Sequence, residues 1–196
     1  TQMFDQAFAE WSDDERYSPK SASFAISAYL RTLLTNEAPF QKWLKGDEQA
    51  MTDEEKAGAM VFFGKAGCYR CHTGAALNNP TEFYALGVKD LHETGQAFAT
   101  SADDPRNLGR GGFTGRAEDM YKFKVPQLYN MREAGFYFHG SSKRSLREVV
   151  EYFDEGIAEN QNVPEEQLAT QLHPLRLTEA EKQSLLRFQE ALENDK

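Results

Sequence analysis

The chain has 196 residues, 40% of them hydrophobic, and a formal net charge of −9. That is enough apolar material for one sizeable packed domain or two small ones, and the acidic balance argues against a nucleic-acid binder, which normally presents a basic face. No apolar run is long enough to span a bilayer, so no membrane-spanning segment is expected. In chain order, TQMFDQAF reads as the start of a processed or truncated chain. Ser18 followed by Pro19 predicts a helix start, with an N-cap and a first-turn proline. Ile26, Tyr29, Leu30, Leu33 and Leu34 then repeat at helical spacing and predict one apolar face. Pro39 to Leu44 reads as a short helix that stops near Gly46. Thr52 with Glu55 is a capping box, Ser or Thr with Glu three residues on. It opens a helix with Ala57, Met60 and Val61 on one face. From His72 to Phe123 there is little periodicity and much Gly, Asn, Asp and Thr, which predicts a long functional loop. LGRGGFTGR (108–116) lacks the register of a phosphate loop and reads as turns. Two further capping boxes follow. Ser145 with Glu148 opens a helix carrying Leu146, Val149, Val150 and Phe153, and Thr178 with Glu181 opens one carrying Leu185, Phe188 and Leu192.

The chemistry concentrates in GKAGCYRCHTG (64–74), which holds both cysteines of the chain and a histidine directly after the second. A structural zinc site would need four nitrogen or sulfur ligands, and His92, His139 and His173 show no paired spacing. A thioredoxin-like pair should follow a strand in a βαβ pattern, whereas the preceding residues read as a helix. The spacing instead fits covalent haem attachment. Two thiols one turn apart, Cys68 and Cys71, form thioethers with the haem vinyl groups, and His72 brings an imidazole under the iron. Such attachment implies a periplasmic or otherwise extracytoplasmic setting. The expected fold is all-α, a c-type cytochrome domain whose long loops wrap a single haem c. The expected division is a helical lead-in segment at 1–50 packing on a haem domain at 51–196.

AYLRTLLTNEAPFQKWLKGD (28–47), the CYRCH motif, YKFKVPQLYN (121–130), FYFHG (136–140), SLREVVEYF (145–153) and LTEAEKQSLLRFQEAL (177–192) occur in this order. In this they resemble the C-terminal haem domain of the bacterial di-haem cytochrome c peroxidases and the related methylamine-utilisation enzymes. FKVP (123–126) followed by FYFHG thirteen residues on, at 136–140, is the more specific part. The resemblance implies an oxidoreductase that carries electrons for peroxide reduction or a related oxidation. The partner is then a small electron-transfer protein or a second haem domain. A single-haem electron carrier, a haem subunit of a larger complex and a haem-based sensor are the other readings. The resemblance also implies site residues. Cys68, Cys71 and His72 match the attachment site and proximal ligand. Lys124 and His139 match polar positions near the haem; Lys124 is equally readable as a solvated charge, and His139 as a structural hydrogen-bonding residue. Ala134 and Phe136 match positions whose backbone carbonyls help hold an interdomain calcium. His92 and His173 receive no role. Ungapped alignment puts Phe153 where relatives carry the sixth iron ligand, a Met or a Tyr. A phenyl ring cannot ligate, so an open or weakly ligated iron is expected. Tyr152 would need a shifted helix register to reach it, and Met120 or Met131 a rearranged loop.

Overall fold

The computed structural model describes residues 2–33, 36–93 and 101–194. Gln2–Ala7 (α1), Asp13–Arg16 (α2) and Pro19–Thr32 (α3) form the first unit, Thr1–Asn36. The Ser18 side chain accepts the Ser21 N–H and caps α3, as its sequence predicts. The apolar repeat of α3, however, is not buried: Ile26, Tyr29, Leu30 and Leu33 are all exposed, and Ser21 is the buried residue of that helix. Leu34 lies outside the described residues. Within this unit the rings of Phe4, Phe8, Trp11 and Phe24 contact one another in series, tilted or edge-on, with Lys20 over the Trp11 ring.

The second unit, Glu37–Lys196, begins before residue 50, so the division between units falls at Asn36–Glu37. Pro39–Leu44 (α4) sends Phe40 into its core. Asp53–Phe63 (α5) starts at the Thr52–Glu55 capping box, in which each residue satisfies the other's backbone N–H. The buried face of α5 is Gly58 and Phe62; Met60, expected on that face, is exposed. A 3₁₀ turn at Cys68–Arg70 follows. Asn79–Tyr84 (β1) pairs antiparallel with Phe123–Val125 (β2) across a register shift between Asn79 and Phe83. Between them Arg110–Thr114 (α6) forms a short helix where turns alone were expected. The fold is therefore mainly helical with a two-stranded ribbon, rather than purely α.

Leu146–Glu155 (α7) and Glu179–Glu190 (α8) complete the unit. The Thr178–Glu181 box forms in full. At α7 only half of the expected box forms: Ser145 accepts the Glu148 N–H, while the Glu148 carboxylate turns to the Arg144 N–H. The core lies where α5 crosses α8. Phe188, fully buried, meets Phe40 edge-on at 5.1 Å and Phe62 at 5.2 Å. Such paired rings add to the area they bury.

Candidate haem-binding site

Next to that core the second unit encloses a cavity of about 530 Å³. This is within the range of cofactor pockets. Its wall is mostly apolar, and Cys68, Cys71 and His72 belong to it. Gly67, at φ +66°, reverses the chain after α5, and the turn then closes with the His72 N–H on the Cys68 carbonyl at 3.0 Å. The two thiols are free, not joined in a disulfide. Burial pushes the Cys68 thiol up to about 12, and burial likewise raises Cys71 despite a hydrogen bond with Tyr84. Both are thus neutral thiols, unlike the low-pKa thiolates of redox motifs. Among the described residues no other histidine or cysteine gathers with them into a set of metal ligands.

His72 is positioned from two distant pieces of chain. Its Nδ1 lies 3.2 Å from the Leu77 carbonyl and 3.0 Å from that of Pro126. Both partners only accept, so the proton of the neutral ring sits on Nδ1 and Nε2 keeps its lone pair. Burial also lowers the imidazole pKa, favouring the neutral, metal-binding form. Leu77, fully buried, reaches this position at φ +45°, and the Tyr129 hydroxyl donates to Ala75 at 2.7 Å to fix the same loop. A non-glycine residue in left-handed conformation beside a site is strain held by its surroundings.

α7 lines the cavity through Leu146, Val149, Val150 and Phe153, the face its periodicity predicts. Tyr152 is buried on another side, its hydroxyl donating to the Leu86 carbonyl at 2.6 Å. Met131 lines the cavity, and Met120 packs against Gly111. Lys124 borders the cavity too, but its ammonium donates to the Val125 carbonyl at 2.8 Å. Ala134 and Phe136 are exposed, and the Arg144 guanidinium sits over the Phe136 ring.

His139 sits on the cavity wall with a partner that sequence reasoning missed. Its Nε2 lies 3.0 Å from the carboxylate of Asp90, which is 2% exposed, and its ring stacks on Phe123 at 3.7 Å. Gly140 makes this approach possible: a Cβ there would lie 1.8 Å from the Lys89 carbonyl oxygen. His92 and His173 bond to Asn107 and the Thr170 carbonyl respectively, away from His72.

No family model matches the chain. Individual proteins do. The methylamine utilization protein MauG of Methylorubrum extorquens is 30% identical over 192 residues, covering 97% of this chain and 48% of MauG. The chain is a homologue of the MauG and di-haem cytochrome c peroxidase family. The cytochrome-c peroxidase IdrP1 of Denitromonas iodatirespirans is 33% identical over 187 residues, 86% of this chain and 48% of that protein. A crystal structure of a MauG-like protein associated with microbial copper homeostasis superposes with a TM-score of 0.76 at 28% identity, covering 99% of this chain and 58% of its own. The chain thus spans about half the length of the curated family members it matches. No helix among the described residues is long and apolar enough to cross a membrane.

Proposed function

We propose that residues 37–196 are a c-type haem domain that carries electrons in a MauG- or peroxidase-type oxidoreductase, outside the cytoplasm. The single observation behind this is that Cys68, Cys71 and His72 share the wall of one apolar cavity, with His72 Nε2 unpartnered among the described residues. Cys68 and Cys71 would hold the haem covalently, and His72 would ligate its iron. When bound, the haem supplies one-electron transfer and, at an open iron position, binding of a small oxidant such as peroxide. The protein's part is to orient His72 through Leu77 and Pro126, to exclude water with α7, and to set the dielectric of the cavity. The partner in this reading is a small electron-transfer protein or a second haem domain. The half-length match to the relatives supports the second of these.

The test is haem staining of the denatured protein together with a pyridine haemochrome spectrum. Wild type is expected to keep its colour through denaturation and acid-acetone extraction. Cys71→Ser should retain at most one thioether, shift the haemochrome band and mature poorly. Complete extraction of the wild-type colour would overturn the reading. A second reading is a single-haem electron carrier, which needs only the one attachment turn and the one cavity described above. Purified single-haem protein that exchanges electrons with a reduced cytochrome but turns over hydrogen peroxide slowly supports it; rapid turnover excludes it.

A further inference from the structure

We propose that His139 and Asp90 are a proton-accepting pair for the cavity, in which the imidazole takes up a proton on Nδ1 when an electron is delivered to the iron held at His72. The inference rests on the haem-binding reading above and adds a role that the sequence did not indicate. Three features carry it. Asp90 and His139 both line the cavity that includes His72. The imidazole donates its Nε2 proton to the buried Asp90 carboxylate, which leaves Nδ1 as the nitrogen without a partner among the described residues. The ring is also rigidly placed, flat against Phe123 and locked by the close contact of Gly140 with Lys89.

A group fixed in a low-dielectric wall responds strongly to a charge that changes inside it. The charged groups facing the ring are Asp90 and Glu93, both on the turn that follows Lys89, and both favour the imidazolium. Phe123 brings no charge from β2, Lys124 is bound to the Val125 carbonyl, and His92 turns its Nδ1 to Asn107. Burial is the larger influence and lowers the His139 pKa, so the ring starts neutral. An added electron in the cavity favours the imidazolium and raises that pKa. The step is balanced: one electron comes from an external reductant, one proton from a buffer acid, and one N–H bond forms at Nδ1. A wholly structural pair would hold the same geometry but would not titrate with the electron.

The experiment is a spectroelectrochemical titration of the haem-loaded protein from about pH 5 to pH 9, the range in which imidazoles titrate. Wild type is expected to show a window in which each tenfold fall in proton concentration lowers the midpoint potential by about 59 mV. His139→Gln keeps a donor toward Asp90 and should abolish the slope. Asp90→Asn removes the charge that favours the imidazolium, so the window should move to lower pH. A flat wild-type potential, or a slope unchanged in His139→Gln, overturns the proposal. If His139→Gln does not fold, an unmoved window in Asp90→Asn overturns it instead. A haemochrome spectrum taken first separates the failures: no covalent haem removes the parent reading as well, whereas haem with a flat potential removes only this one.

Discussion

Reduced wild-type protein is expected to bind carbon monoxide, and the Phe153→Met variant to bind it far more weakly. Phe153 lies on the cavity face of α7 with Val149 and Val150, while Tyr152 is turned away and tied to Leu86. The helix therefore presents a ring without a lone pair where a thioether would fit. Methionine is close to phenylalanine in reach and flexible enough to find the iron. A thioether bond worth about 3 kcal/mol over an open site would weaken carbon monoxide roughly 100-fold. It should also raise the reduction potential, since Met/His ligation does so. Absorption spectra of the reduced proteins with and without carbon monoxide provide the check. Met131 supplies the control, because it also lines the cavity. If wild type refuses carbon monoxide and Met131→Leu accepts it, Met131 is the sixth ligand and the open-site reading fails.

Gly58→Ala is expected to destabilise the second unit by about 2–3 kcal/mol, although alanine is the better helix former. A Cβ at position 58 would lie 1.8 Å from the Ser184 carbonyl oxygen and 2.8 Å from Phe188 Cβ. The first obstacle is backbone, so α5 and α8 must move apart. Overpacking of this kind costs about 1–3 kcal/mol and sometimes more, and the gain in propensity offsets about 1 kcal/mol of it. A backbone clash belongs at or above the upper end of that range, which leaves the stated net loss. Denaturant unfolding followed by far-ultraviolet circular dichroism measures it. Because α5 runs directly into the Cys68 turn, the yield of haem-loaded protein should fall as well. A midpoint equal to wild type would mean that the two helices separate at little cost.

Gly58 also illustrates what the sequence disclosed and what it withheld. A glycine inside a helical pattern costs helix stability relative to alanine, but nothing in one sequence names Ser184 as what that cost serves. The capping boxes at Thr52 and Thr178 were legible because both partners lie within one turn. At Ser145 the same pattern was only half right, since Glu148 had the Arg144 N–H to choose as well. The CYRCH turn was legible because its geometry is local. The helical face of α7 was legible because one side of it meets the cavity. β1 was not: NPTEFY contains a proline and a carboxylate, and its burial does not alternate. The exposed repeat of α3 shows the converse, a periodic apolar stripe without a buried counterpart. Asp90 was invisible because its partner is 49 residues away in the chain.

With haem bound as proposed, the two carbonyls on His72 Nδ1 would make capture of the cofactor and tuning of its iron separate events. The thioethers would be made within one turn, irreversibly, by residues that are neighbours whether or not the rest of the chain has folded. The bond to Pro126 spans 54 residues and exists only once the β1–β2 ribbon has closed. A chain with a loosened ribbon would therefore remain coloured while its imidazole rotates between orientations and its electronic spin state becomes heterogeneous. In this protein, colour would report attachment, and a single sharp spin-state signature would report that the polypeptide has finished folding around what it caught.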